Sequence, residues 1–120
     1  MIIGVGTDIC KIDRIKVSED FAKRILTKIE FEVFDSKSDS QKQSFLAKRF
    51  SAKESVAKAF GFGIGSQLGF QDINIANNNQ GKPFVEVLNT AKPKLPQFSN
   101  IHLSITDEKD YVVTFVVVEE

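Results

Sequence analysis

QKQSFLAKRFSAKESVAKAF, residues 41–60, places apolar side chains at helical spacing along its whole length, and Gly61 closes it. Ser38, Asp39 and Ser40 offer an N-cap just before it, and glycine is the usual residue beyond a helix end, so the stretch predicts one long helix. At about 100° per residue, with Arg49 at zero, Phe45, Leu46, Phe50, Val56, Ala57 and Phe60 share an arc from about −40° to +100°. Arg49 and Lys53 fall inside that apolar arc. Two cations there either snorkel to water or meet an anion such as a phosphate, since an unpartnered buried charge is costly.

Working outward, residues 21–34 carry Phe21, Ile25, Leu26, Ile29 and Val33 at helical spacing and predict a second helix. Residues 2–7 form a short apolar run with two glycines that reads as a strand ending in a turn at Asp8. On the other side, residues 72–76 and 83–88 read as strands around NNNQGKP. Residues 101–106 alternate strictly, and residues 111–118 are almost continuously β-branched or aromatic, with DEKD closing a hairpin between them. The expectation is an α+β fold: a small antiparallel sheet packed with one long and one or two shorter helices, in a single domain over residues 1–120.

Composition narrows the function. Sixteen basic and sixteen acidic residues cancel, so the net basic field expected of a nucleic-acid or membrane-surface binder is missing. No apolar run approaches the length of a membrane span, and the run in MIIGVGTDICKID is too short for a signal peptide. A lone Cys10 allows no internal disulfide and suits a reducing, cytoplasmic setting. No H-x-x-x-H or C-x-x-C spacing points to zinc.

Several residues carry two readings at this point. Glu54 and Lys58 are an i,i+4 helix pair, or a metal ligand beside a lysine that meets phosphate. Asp8 is a turn residue, or a Mg²⁺ ligand held by glycine-flanked backbone. His102, Ser104 and Thr106 share one face of their strand, which is either solvated or a polar shelf for a ligand or neighbouring subunit. Gly81-Lys82-Pro83 is by itself a turn signal.

Taken together and in order, these stretches resemble the holo-[acyl-carrier-protein] synthase family. IIGVGTDICKIDRI resembles its G-x-G-x-D opening, and RFSAKESVAKAFG its central R-[FW]-[AS]-x-K-E-[AS]-x-x-K-A-x-G motif. NQGKPFVEV resembles the N-G-x-P loop, and IHLSITDEKDYVVTFVVVE the terminal H-[VL]-S-[IL]-[ST] hairpin. The resemblance implies transfer of 4′-phosphopantetheine from coenzyme A to a serine of apo acyl carrier protein. It also implies Mg²⁺ as cofactor, adenosine 3′,5′-bisphosphate as second product, a place in fatty acid biosynthesis, and a homotrimer with sites between subunits.

By the same resemblance, Asp8 and Glu54 hold the metal and Lys58 lies beside the pyrophosphate. Arg49, Lys53, Gly81, Lys82, Pro83, His102, Ser104 and Thr106 line the coenzyme A site. Arg14, Lys23, Arg24 and Lys28 face the acidic carrier protein. Glu54, Asp8 and Lys58 are all candidates for the general base. Three departures stand out: Asp107 occupies a place where many members have His, Gln80 replaces the Asn of the N-G-x-P loop, and the segment from Arg14 to Phe21 is shorter than in some relatives. Two rival readings of the same residues are a Mg²⁺-dependent phosphohydrolase and a non-catalytic binding module.

Overall fold

A computed structural model describes all of residues 1–120. The elements run β1 (Ile2–Lys11), α1 (Glu19–Ile25), α2 (Lys28–Ser36), α3 (Asp39–Ala59), β2 (Ile73–Asn77), β3 (Pro83–Val87), β4 (Asn100–Asp107) and β5 (Tyr111–Glu119). The strands make two antiparallel pieces, a three-stranded sheet in the order β1-β5-β4 and a separate β2-β3 ribbon. The chain is therefore α+β, as the sequence predicts.

The long helix ends as its sequence demands. Gly61 takes a φ of 86°, and the N–H groups of Gly61 and Phe62 bond back to the carbonyls of Lys58 and Ala57, closing the last turn. At the other end Ser38 is the N-cap residue, but its hydroxyl meets that of Ser40 instead of a backbone N–H.

Two expectations are corrected. The helix expected over residues 21–34 is two helices, because Thr27 starts a new one: its hydroxyl accepts from Glu30 N–H, and the Glu30 carboxylate accepts from Thr27 N–H. This capping box is a strong helix start. Ile29 and Val33, which extended the apolar spacing, lie on the surface, while Glu30 and Phe34 are buried. The first strand also runs past Asp8 to Lys11, so Asp8 lies within β1 and not in a turn.

α3 lies across the inner face of β1 and β5 and divides the core. Its N-terminal half packs with α1 and α2 around Ile25, Leu26, Phe34, Phe45 and Leu46. Its C-terminal half packs over β5 and the ribbon around Val56, Phe60, Ile73, Ile75 and Val116. Of the eleven phenylalanines only Phe84 and Phe115 stay outside these clusters. No helix is long and apolar enough to cross a membrane.

Candidate active site

The two glycines of GVG explain how α3 reaches the sheet. A Cβ on Gly4 would fall 1.8 Å from the Ala59 carbonyl oxygen, and one on Gly6 would fall 2.0 Å from that of Ser55. Only a strand without side chains at these positions lets the helix backbone settle onto it. Gly4, Gly6 and Asp8 share the inward face of β1, opposite Val118, Val116 and Thr114 of β5. Hydroxyls then fix the helix along the strand. Ser51 and Ser55 of α3 both meet the Thr114 hydroxyl, which donates to the Ser51 carbonyl, and all three side chains are buried.

This packing brings Lys58 to Asp8. The Lys58 ammonium donates to Asp8 Oδ1 at 3.1 Å and to the Thr7 carbonyl at 3.0 Å. Its ion-pair partner is thus the strand aspartate and not Glu54, so the simple i,i+4 helix pair is not what forms. Two of the three ammonium hydrogens are used, and one is left for a ligand. Glu54, one helix turn earlier and half-buried, holds its proton more tightly than an ordinary glutamate. Burial is the main cause, the charge of Asp8 adds to it, and Lys58 works against both. Two carboxylates that repel one another, with a lysine beside them, form a set of hard oxygen donors.

Arg49 and Lys53 require a correction. Lys53 is wholly buried, and its three N–H groups go to Glu30 Oε1 at 2.6 Å, the Ile25 carbonyl at 2.7 Å and the Phe70 carbonyl at 3.0 Å. No hydrogen remains for a phosphate, so Lys53 neither snorkels nor lines a ligand site; it is the counter-ion of a buried glutamate. Burial still pulls its pKa below that of an ordinary lysine, despite the pull of Glu30 in the other direction. Arg49 is also buried, with its guanidinium over the Phe45 ring at 4.6 Å and its Nη2 donating to Asn77 Oδ1 at 3.3 Å. Asn77 in turn donates to the Gly81 carbonyl at 2.9 Å. Arg49 is therefore linked through Asn77 to the Gly81-Lys82-Pro83 turn. Sequence reading missed Glu30 and Asn77; the T-x-x-E spacing of residues 27–30 was the available signal for Glu30.

The remaining candidates lie apart from Asp8. His102, Ser104 and Thr106 are exposed on the outer face of the sheet, opposite Val117, Phe115 and Val113, whereas Asp8 faces inward. His102 pairs with Glu119. Asp107 meets Lys48 at 3.5 Å. Arg14, Lys23, Arg24 and Lys28 are all exposed, on the turn after β1, on α1 and at the start of α2, and Lys23 pairs with Glu19 at 2.8 Å. One chain thus gathers Asp8, Glu54 and Lys58 in one place and Arg49 with the 81–83 turn in another, and it sets the β4 residues on a third surface.

This architecture matches the 4′-phosphopantetheinyl transferase superfamily, whose family model covers residues 4–116. A holo-[acyl-carrier-protein] synthase from Shewanella sp. (strain MR-7) is 42% identical over 98% of this chain and 97% of its own length. The crystal structure of such a synthase from Bacillus anthracis str. Ames, in complex with CoA (3′,5′-ADP), superimposes with a TM-score of 0.88 at 38% identity, covering 100% of this chain and 98% of the other. That from Neisseria meningitidis gives a TM-score of 0.89 at 38% identity, with 100% of both chains covered. The chain belongs to the holo-[acyl-carrier-protein] synthase family.

Proposed function

We propose that this chain moves the 4′-phosphopantetheine arm of coenzyme A onto a serine of apo acyl carrier protein, with Mg²⁺ held by Asp8 and Glu54, and releases adenosine 3′,5′-bisphosphate. The observation that carries this reading is the convergence of Asp8, Glu54 and Lys58 where α3 crosses β1. The residues fit the ion: Mg²⁺ takes oxygen ligands, and one or two carboxylates suffice when substrate phosphates complete the shell. When bound it would neutralise pyrophosphate charge. The Bacillus anthracis relative, crystallised with coenzyme A, supports the donor substrate.

In the transfer, the serine oxygen bonds to the phosphorus bearing pantetheine as the bond to the adenosine 3′,5′-bisphosphate oxygen breaks. Such chemistry depends on positioning and charge neutralisation more than on a covalent nucleophile. Lys58 acts as a cation, since it already donates twice, and turns its third hydrogen to a phosphate oxygen. The serine proton goes to a carboxylate of the Asp8–Glu54 pair. Arg49 and the 81–83 turn bind coenzyme A at a second point. His102, Ser104 and Thr106 face outward, so they reach the same ligand only from a neighbouring copy, which is the arrangement a homotrimer provides. Arg14, Lys23, Arg24 and Lys28 meet the acidic carrier protein.

Mass spectrometry of apo acyl carrier protein incubated with coenzyme A, Mg²⁺ and this protein tests the reading. The expected result is one added phosphopantetheine, abolished by Asp8→Ala. Breakdown of coenzyme A without any carrier protein would make the chain a phosphohydrolase instead.

A further inference from the structure

The buried cluster of Glu30, Arg49 and Lys53 holds two cations and one carboxylate, and an uncompensated buried charge is costly. Lys53 is fully satisfied, so the shortfall rests on Arg49. Its Nε lies 3.8 Å from Glu30 Oε2, outside hydrogen-bond range, and is the only buried side-chain nitrogen or oxygen with no partner. Phe45 supports one face of the guanidinium, and Asn77 Oδ1 takes its one hydrogen bond. Glu30 cannot swing away to adjust, because its carboxylate also accepts from Thr27 N–H at 2.8 Å and Ile75 N–H at 2.7 Å. Asn77 is similarly tied to the Gly81 carbonyl.

We infer that Glu30, by its charge at 3.8 Å, and Asn77, by its hydrogen bond, are positioning residues that hold Arg49 from two sides and aim its free N–H groups beside the β2-β3 turn at a phosphate of coenzyme A, with Lys53 serving only to balance Glu30. This rests on the reading that Arg49 belongs to the coenzyme A site. The ligand phosphate supplies the missing anion, and the planar fork of arginine suits it only when its orientation is fixed. Positioning by groups that never touch the ligand appears as a change in the KM of one substrate.

Steady-state kinetics, with coenzyme A and apo carrier protein varied separately, tests the inference. Asn77 is exposed at a strand end and Phe45 still stacks on the guanidinium, so Asn77→Ala stays folded, which its melting temperature checks. It is expected to raise the KM for coenzyme A about five- to tenfold, with kcat and the carrier-protein KM within about twofold. Glu30→Gln with Lys53→Met removes one buried charge of each sign, leaves Arg49 on Phe45 and Asn77 without the carboxylate beside it, and gives the same selective rise. In an Arg49→Gln background the Asn77→Ala change is expected to add nothing, because its effect passes through Arg49. An unchanged coenzyme A KM in Asn77→Ala, or full additivity with Arg49→Gln, overturns the inference. Should the paired variant fail to fold, the Asn77 arm decides alone. If Arg49→Gln itself leaves the coenzyme A KM unchanged, it is the placement of Arg49 in the coenzyme A site that falls.

Discussion

Glu54 sits where its own charge is disfavoured, and this gives a prediction that separates function from stability. Burial and Asp8 raise its pKa in the folded chain. A raised carboxylate favours the fold below its unfolded pKa, and that contribution is lost as pH rises through the folded pKa. At neutral pH the ionised Glu54 therefore works against folding. Glu54→Gln should abolish transfer yet raise the melting temperature at pH 7, and the gain should vanish as pH falls below the ordinary glutamate range. Calorimetry across pH checks this, and a melting temperature that falls at pH 7 would contradict it. Lys53, buried as its place in the apolar arc implies, meets a side-chain anion instead of a ligand. Lys53→Met alone takes from Glu30 its hydrogen-bonded cation, leaving only Arg49 Nε at 3.8 Å, and is expected to cost about 3–5 kcal/mol in urea unfolding. A neutral result would show that Arg49 alone suffices as the counter-ion of Glu30.

At the scale of elements, the crossing of α3 over β1 is what assembles the site. Gly6→Ala brings a methyl into the Ser55 carbonyl, backbone that cannot rotate away, so helix and strand must part. The expected loss is about 1–3 kcal/mol of stability, together with loss of transfer, because Glu54 and Lys58 move with the helix while Asp8 stays on the strand. Retained full activity with unchanged stability would remove this account. Much of the layout was legible in the sequence, because α3, the β4-β5 hairpin and the β2-β3 ribbon are each set by local periodicity and turn chemistry. The break at Thr27 was legible too, but the apolar spacing of Ile29 and Val33 concealed it. Glu30 as a buried anion was not legible, since its partners Lys53 and Ile75 lie 23 and 45 residues away in sequence. Arg49 and Lys53 stood out as anomalies on the wheel, yet periodicity could not say whether the missing anion was a ligand or a side chain.

The whole molecule leaves one face of its three-stranded sheet bare. α3 covers the inner face, over Val112, Thr114, Val116 and Val118 of β5. α1 and α2 pack against α3 and β2 and supply no second layer on the outer face. Val5 and Ile9 of β1 and Tyr111, Val113 and Phe115 of β5 remain exposed there, with Ile9 at 65% and Phe115 at 46%. A contiguous apolar face of this kind on a small domain marks an interface, and the polar strip of His102, Ser104 and Thr106 borders it. The homotrimer proposed above would use this face, and a β4 residue would then reach coenzyme A held by Arg49 of another copy. The test must respect the two sides of β5. Val116 is wholly buried in the core, so a charge there would unfold the chain and say nothing about assembly. Phe115 points outward, and Phe115→Asp should leave the circular dichroism of the monomer intact, shift the mass in light scattering from three chains to one, and abolish transfer. Mixing Phe115→Asp with excess wild type should restore nothing to the variant. A Phe115→Asp protein that stays trimeric, or a monomer with full activity at assay concentration, would show that the outer face serves another purpose and that each chain completes its own site.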